Sequence, residues 1–407
     1  MNVTMQHDAA PGIASPPLAT IRVSAVDSLE AVPGGAQAWN RLVDASTYPN
    51  VFRRWEWVNK WWNWFGGNRH LYLRIVMRGS ELLGIVPMYR TVTRLGVKTL
   101  NWIGAGGPTF PEYLGPIVHQ DRATEVVAEI ANHFRSGRGN WDKILFPDTA
   151  PDDLATIQLI TALAETHSTI RAPGEICAYF FFPSSFEGLM ARLTSHGRQR
   201  KKRQLRRAKE ELEASLDVSS DVETISEWFP TMKRLSISSK ERAGQVSPFL
   251  NLEYAGFHRD ACRALGRASL SRVYMLLLRG SPAAFLYGFL YQGKFYAFQT
   301  GYDCDLEAYS PGDILFQMVY EHLIGEKAEE FDYLRGGEAY KRQFADLERR
   351  TETTLVFRRR GIGYVTDTFA LQCIKKVRSA IKNYLLNRTA GRNSLAASRS
   401  DKSSTQP

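Results

Sequence analysis

The clearest periodic stretch of the chain is a helix that begins at Pro311. Apolar side chains recur there at helical spacing, at Ile314, Leu315, Met318, Val319 and Leu323. Pro311 suits the first helical position, and Ser310 forms a Ser-x-x-Asp capping pattern with Asp313. The sequence therefore predicts a helix over residues 311–324 with Ser310 as its N-cap, and Gly325 closes it.

Two strands are predicted around this helix, over residues 294–300 before it and 330–334 after it. A strand, a glycine-bearing turn and a helix start together form an anion-binding arrangement, because free backbone N–H groups and the helix dipole point at one spot. The alternative is ordinary helix capping without a ligand. The candidate binding residues of this turn are Tyr309, Ser310, Pro311, Gly312 and Asp313.

The order of predicted elements repeats along the chain. An Arg-Gly-Ser turn lies inside a predicted hairpin at residues 78–80 and again at 279–281. A helix and a strand follow in each half, and the strand over residues 141–146 parallels the strand over 331–334. This agreement indicates a duplicated unit. Only the second copy has the glycine-bearing turn at its helix start, so we expect the second copy to be active.

With 407 residues, the chain is long enough for two domains. The repeated order of helices and strands predicts an α/β (α+β) fold class with two domains in tandem. The predicted ranges are a disordered N-terminus (1–18), an N-terminal domain (19–173), a C-terminal domain (174–365), a basic amphipathic helix (366–390) and a disordered tail (391–407).

A dense basic cluster opens the predicted C-terminal domain, within a helix expected over residues 186–215. Eight of the twelve residues from 198 to 209 are Lys or Arg, which nearly equals the net charge of +10. Three interpretations stay open: a solvated face with pairs such as Arg206 and Glu210, recognition of a polyphosphate, and contact with RNA. The candidate polyphosphate-binding residues are Arg200, Lys201, Lys202 and Arg203.

Polar residues that could carry out chemistry cluster at and after the strand over 331–334. They are Asp332, Glu338, Tyr340 and Lys341. Each also has a purely structural interpretation: Asp332 could orient the adjacent loop, and Glu338 could pair with Lys341.

Three segments carry a family resemblance: G-Y-D at 301–303, Y-S-P-G at 309–312 and F-D-Y-L-R-G-G-E-A-Y-K at 331–341. They resemble the CelD-like branch of the GNAT acyltransferase superfamily, which is associated with cellulose and exopolysaccharide synthesis. That branch is similar to the Fem-type aminoacyl transferases, which have two GNAT-like domains in tandem. The resemblance implies that each domain contains a mixed, mostly antiparallel sheet flanked by helices. The resemblance covers roughly residues 195–357 and is looser over the first half, which implies a degenerate N-terminal copy.

The resemblance implies transfer of an acyl group, an acetyl group in the superfamily's usual chemistry, from acyl-CoA to an amine or hydroxyl. Tyr340 and Lys341 resemble the aromatic–Lys pair of Fem-type enzymes. In this scheme Lys341 stabilises charge, Tyr340 orients or donates a proton, and Glu338 or Asp332 acts as base. The Gln/Arg-x-x-Gly-x-Gly/Ala loop of typical GNAT enzymes is absent, so CoA as the donor follows from the superfamily alone.

The expected function is thus a GNAT-type acyltransferase of cellulose, exopolysaccharide or cell-envelope biosynthesis, acting on a small-molecule or saccharide acceptor. Two alternatives stay open: an aminoacyl-tRNA-dependent Fem-type transferase, and a non-catalytic accessory protein of a polysaccharide synthase complex. The basic helix over 366–390 could pack on the domain or lie on an anionic membrane surface. Among nucleic acids tRNA is the relevant partner, and it is less favoured than acyl-CoA.

Other site classes find no support in the sequence. It contains no His-x-x-x-His or Cys-x-x-Cys pattern, Gly-x-Ser-x-Gly elbow or Walker loop, so no metal is expected. No run approaches the ~18 apolar residues of a membrane span, and no signal peptide is recognisable. The four scattered cysteines favour a reducing compartment. We therefore expect a cytoplasmic protein, with peripheral association at the inner membrane as an option.

Overall fold

The computed structural model describes residues 20–106, 109, 111–136, 140–336 and 340–358. The expectations for both termini, for the helix over 366–390 and for Glu338 lie outside the described residues.

A single sheet of thirteen strands organises the described part of the chain, in the order β1-β2-β3-β4-β6-β13-β7-β12-β11-β10-β9-β8, with β5 paired to β3. The strands are β1 (Ile21–Val26), β2 (His70–Arg78), β3 (Glu81–Val92), β4 (Lys98–Trp102), β5 (Ile117–Val118), β6 (Lys143–Thr149), β7 (Ser168–Phe181), β8 (Ser215–Ser219), β9 (Ser271–Leu278), β10 (Ser281–Tyr291), β11 (Lys294–Tyr302), β12 (Glu330–Arg335) and β13 (Leu347–Phe357).

Helices cover the sheet. They are α1 (Gly35–Asp44), α2 (Trp55–Phe65), α3 (Ala123–Arg135), α4 (Leu154–Ala164), α5 (Phe186–Ala191), α6 (Ser195–Glu211), α7 (Val222–Arg242), α8 (Leu252–Arg267) and α9 (Pro311–Gly325). Short 3-10 helices lie between several of these elements, among them Cys304–Tyr309 directly before α9.

The two halves repeat one topology. In the first half β2, β3 and β4 pair antiparallel and β6 then runs parallel to β4; in the second half β9, β10 and β11 pair antiparallel and β12 runs parallel to β11. All other strand pairs are antiparallel. The predicted fold class, a mixed and mostly antiparallel sheet flanked by helices, is confirmed.

The halves are joined by their last strands. β13, from the end of the second half, pairs with β6 and β7 of the first, while β7 also pairs with β12 of the second. The predicted boundary between residues 173 and 174 lies within β7. The domain ranges stay predictions.

Buried aromatic residues extend the core across both halves. Phe52 and Trp57 of the first half pack edge to face on Phe289 of the second, with ring centroids 5.9 and 5.7 Å apart. A second core cluster lies between α9, α6 and the second half of the sheet, and it includes Leu315, Phe331 and Phe180. The first core cluster therefore spans both halves of the chain, and the second surrounds α9.

Two local details differ from the sequence prediction. The helix expected over 186–215 is two helices, because the Thr194 side chain accepts a hydrogen bond from the Gly197 N–H and starts α6 afresh. Ser310 does begin α9, but it has left-handed backbone angles (φ 55°, ψ 56°), and its side chain makes no capping hydrogen bond. The predicted Ser-x-x-Asp cap is therefore wrong, since that backbone conformation follows from the preceding 3-10 helix.

Gly301, in the G-Y-D segment, allows α7 to lie directly on β11. A Cβ placed there would lie 2.6 Å from the Ser236 nitrogen and 2.7 Å from the Leu235 carbonyl carbon. Gly301→Ala is expected to lower the free energy of unfolding by about 1–3 kcal/mol, because backbone atoms of α7 must move. Urea unfolding measures this. Gly325→Ala is the control, because a Cβ on Gly325 meets nothing within 4 Å. Equal stabilities for the two variants would contradict the packing argument.

Candidate active site

The central feature of the second half is a gap between two parallel strands. β11 and β12 pair only from Lys294/Glu330 to Tyr296/Asp332, although β11 continues to Tyr302 and β12 to Arg335. Beyond the pairing, the two strands have separate neighbours, β10 and β7. Their unpaired ends therefore leave room between them.

A cleft of about 300 Å³ occupies this gap. One wall is the end of β11, from Ala297 to Thr300, and the other is the end of β12, from Tyr333 to Arg335. The remaining lining residues come from β10, α9, the α7–α8 region and the chain around residues 112 and 340: Glu112, Lys240, Pro248, Tyr254, Leu286, Phe316, Tyr340 and Lys341.

Tyr340 and Lys341, both predicted from the sequence, line this cleft together. The Lys341 side chain is buried, and its ammonium donates hydrogen bonds to the carbonyls of Arg335 (2.5 Å) and Tyr333 (3.3 Å). Tyr340 is about one-third exposed, and its ring packs on Phe316 with centroids 5.5 Å apart. One fixed positive charge and one partly exposed hydroxyl thus face the same space.

Asp332 does not line the cleft, although it lies on the same strand. Its buried carboxylate accepts hydrogen bonds from the Leu334 N–H (2.8 Å) and the Tyr113 hydroxyl (3.0 Å). It also forms ion pairs with Lys294 (2.9 Å) and Arg349 (3.4 Å). The bond to Leu334 supports that residue's positive φ of 56°, at the point where the β12–β7 register shifts. Asp332 therefore shapes the end of β12, which carries cleft residues.

The turn into α9 is open. A Cβ on Gly312 would meet no atom within 4 Å, so no side chain fills this corner. Asp313 follows in the first turn, where a carboxylate would repel an anion, but its carboxylate forms an ion pair with buried Lys201 at 2.8 Å. Lys201 thereby offsets the charge of Asp313 and also fastens α6 to α9.

A second pocket, of about 360 Å³, lies between α6 and the start of α9. Tyr309 and Ser310 line it, and so do Arg200 and Arg203, which brings together two groups of residues predicted separately. His196 and Arg207 add to its basic wall. Arg207 pairs with Glu211 at 2.6 Å, whereas neither Arg200 nor Arg203 has an ion pair with any residue that the structure describes. We call this the basic pocket.

The other predicted turn and basic residues lie near the basic pocket without lining it. Lys202 is exposed on another face of α6, Lys201 is committed to Asp313, and Pro311 is buried in the helix start. Ile314 lines the basic pocket and Phe316 lines the cleft. Two residues along a helix point in nearly opposite directions, so the first turns of α9 separate the two spaces.

Glu112 is a cleft residue that the sequence did not reveal. It belongs to the first half, yet its carboxylate forms an ion pair with Arg335 of β12 and also accepts a hydrogen bond from the Arg335 backbone N–H at 3.3 Å. The Arg335 guanidinium pairs with Asp148 as well, at 3.1 Å. Glu112 follows the glycine-rich turn at residues 104–107. That turn alone does not mark Glu112 as a cleft residue in the sequence, because Arg335, its partner, is 223 residues away.

The described residues contain neither a metal-binding cluster nor a membrane-spanning helix. Among them, no group of three or more His, Cys, Asp or Glu side chains is arranged to hold a metal ion. Over the same part of the chain, every helix is too short or too polar to cross a bilayer.

Comparison with known proteins places the family signal in the second half. Residues 195–342 match the family described as acetyltransferase (GNAT) domain. This segment contains α6, β11, α9, β12 and the cleft residues Tyr340 and Lys341. The similarity to this family is therefore confined to a segment of the predicted C-terminal domain, and assignment to the CelD-like branch stays a prediction. A search of curated proteins finds no match.

Solved structures extend the likeness to the whole fold. The alignment with FemX covers 79% of this chain and 96% of the FemX chain, at 10% sequence identity and with a TM-score of 0.59. L-PGS from Bacillus licheniformis is 10% identical, covers 81% and 94%, and has a TM-score of 0.50. A tandem GNAT protein from the clavulanic acid biosynthesis pathway is 12% identical, with coverage of 83% and 98% and a TM-score of 0.46. At these identities the first two likenesses show a shared fold.

Proposed function

We propose that this protein is an acyltransferase that moves an acyl group from acyl-CoA to an amine or hydroxyl acceptor. The observation that carries the proposal is the arrangement around α9, where a basic pocket lies on one side of the helix start and the β11–β12 cleft lies on the other. Such an arrangement suits a donor with an anionic end and a reactive end.

The donor's phosphates are assigned to the basic pocket. Arg200 and Arg203 have no ion-pair partner among the described residues, and Tyr309 and Ser310 lie where the helix dipole attracts negative charge. Arginine binds phosphate oxygens through two parallel N–H donors. Because Lys201 neutralises Asp313, the approach to this corner is net positive.

The acyl arm then crosses the start of α9 at Gly312, where there is no side chain, and enters the gap between β11 and β12. The acceptor attacks the carbonyl carbon in the cleft. Lys341 stabilises the developing negative charge there, and Tyr340 orients the reacting groups or donates a proton to the leaving group. Glu338 stays a predicted participant outside the described residues.

The acceptor is proposed to be a small molecule or a saccharide, since the cleft wall mixes Gln299, Thr300 and Arg335 with aromatic rings. A role in cellulose, exopolysaccharide or cell-envelope biosynthesis rests on the resemblance of residues 301–341 alone. A cytoplasmic location is proposed from the four scattered cysteines, and peripheral association at the inner membrane from the basic residues predicted to form a helix over 366–390.

An aminoacyl-tRNA donor is the second candidate. The observation in its favour is the exposed basic face of α6, with Lys202, Arg206 and Lys209, which lies outside the basic pocket. Phosphate neutralisation by such a face is the main source of nucleic acid affinity. Binding of tRNA that competes with CoA, together with loss of tRNA affinity when this face is neutralised, would favour that candidate.

The test of the proposal is the affinity for acetyl-CoA of a variant with Arg200→Gln and Arg203→Gln. Its dissociation constant, measured calorimetrically at low salt, is expected to rise about thirtyfold, which corresponds to about 2 kcal/mol in all, or roughly 1 kcal/mol for each arginine replaced. The loss should shrink as salt increases, because screening weakens the same interactions in the unmodified protein.

A matched control removes two positive charges from the other face of α6, through Lys202→Gln and Lys209→Gln. Its affinity for acetyl-CoA should stay within about twofold of the unmodified protein, since exposed charges beyond the pocket contribute little. Equal losses in both double variants would mean that general charge, not the basic pocket, holds the donor. Turnover of acetyl-CoA by the purified protein would also eliminate the accessory-protein alternative.

A further inference from the structure

Glu112 is a buried carboxyl group on the wall of the cleft, and its contact with Arg335 involves one of its two oxygens. Its side chain is 1% exposed but lines the cleft. Oε1 accepts hydrogen bonds from both the Nε and the backbone N–H of Arg335, so Oε2 lies outside that contact. A buried carboxyl group that borders a cleft and is held through one oxygen is a candidate functional group.

The surroundings of Glu112 bring the pKa of its carboxyl close to neutral pH. Burial raises the pKa of this carboxyl to about 7, and the positive charge of Arg335 opposes that rise. Asp332, on the same strand as Arg335, adds a smaller upward shift. The third neighbouring titratable group is the Cys177 thiol of β7, whose own pKa is raised by burial and by Glu112. A carboxyl with this pKa can both take and release a proton at neutral pH.

We propose that Glu112 is the catalytic base of the transfer, so that the active site is completed by a residue of the first half. This inference rests on the proposed function. In the step, the acceptor's nitrogen or oxygen forms a bond to the thioester carbonyl carbon, and its proton moves to Glu112 Oε2. The C–S bond breaks and CoA leaves as a thiolate, which takes a proton either from solvent or from the Tyr340 hydroxyl, which then regains one from solvent. Glu112 finally returns its proton to solvent.

Arg335 is a positioning residue in this scheme. Its guanidinium is held at one end by Glu112 and at the other by Asp148, at 3.1 Å, so it cannot swing away with the carboxylate. Because it occupies Oε1, the remaining oxygen is the one available to the acceptor. The contact also joins β12 to the first half, which explains how a residue so distant in sequence reaches the cleft.

The experiment measures kcat at saturating acetyl-CoA for the full-length protein and for Glu112→Gln, by release of the CoA thiol. Glycerol is the hydroxyl acceptor probe and ethanolamine the amine probe. With glycerol, whose hydroxyls do not titrate between pH 6 and 8, kcat of the unmodified protein should rise about tenfold over that range as Glu112 ionises. Glu112→Gln should lower kcat about a hundredfold at pH 8 and abolish the pH dependence.

Three companion measurements separate the possible failures. Glu253→Gln, at an exposed position in α8, is the charge-matched control and should keep both rate and pH profile. Glu112→Asp should restore part of the activity and the rise of kcat between pH 6 and 8. This variant keeps the test decisive even if thermal unfolding shows that Glu112→Gln is poorly folded. Acetyl-CoA affinity should be equal in all variants, because Glu112 lies outside the basic pocket.

If Glu112→Gln keeps both kcat and its rise between pH 6 and 8, the role of Glu112 is overturned and the proposed function stays intact. Failure of the unmodified protein to bind acetyl-CoA would instead overturn the proposed function. Saturable binding without thiol release to either probe would count against the assignment of a base in this cleft.

Discussion

Asp332→Asn should lower the free energy of unfolding by about 3–5 kcal/mol. The carboxylate is fully buried and forms ion pairs with Lys294 and Arg349, at 2.9 and 3.4 Å. Removing one partner of a buried ionic cluster leaves the others uncompensated in a medium of low polarity, which costs far more than an exposed pair is worth. Urea unfolding measures the loss at neutral pH.

The control for this variant is Asp305→Asn, at an exposed position in the 3-10 helix before α9, where a change within about 0.5 kcal/mol is expected. The pair of variants also decides between two roles for Asp332. A stability loss under about 1 kcal/mol together with a large loss of turnover would restore its sequence-predicted role as a base. A large stability loss fits its observed position beside the cleft.

Lys341→Ala should lower kcat/KM by about 10²–10³. The ammonium is held by two carbonyls at the end of β12 and lines the cleft, so it is preorganised to stabilise negative charge that develops during transfer. Loss of one such donor typically costs about 3–4 kcal/mol of transition-state stabilisation. Initial rates with acetyl-CoA and the glycerol probe measure it, and thermal unfolding reports whether the variant is folded.

Lys240→Ala is the matched control, because this substitution removes one positive charge from the same cleft. Lys240 belongs to α7, and its ammonium donates a hydrogen bond to the Gln245 side chain at 3.1 Å. We expect its kcat/KM to fall less than tenfold. Similar losses in the two variants would mean that the net charge of the cleft matters and that the position of Lys341 does not.

Local sequence patterns predicted the elements well because their causes are local. Hydrophobic periodicity and Pro311 placed α9 within one residue of its observed bounds, and the two Arg-Gly-Ser turns marked the β2–β3 and β9–β10 hairpins. The predicted cap failed because the backbone angles of Ser310 depend on the 3-10 helix before it, which the pattern did not reveal.

The candidate site was predictable only in part, for a related reason. Tyr340 and Lys341 stand out because they follow a strand that is predicted to be buried. The basic run of α6 is visible directly in the sequence. The division of that run is a tertiary property: Lys201 is buried against Asp313, and Arg200 and Arg203 face the basic pocket. Glu112 could not be found this way, because strand exchange between the halves brings it to β12.

The central claim is that one donor spans the start of α9. A crystal structure of the full-length protein with a non-hydrolysable acetyl-CoA analogue tests it most directly. We expect the phosphates to be bound by Arg200, Arg203 and the backbone at Ser310–Gly312, with the acyl end beside Lys341 in the β11–β12 gap. An analogue bound elsewhere, or one whose acyl end points away from that gap, would show that the donor does not span the start of α9.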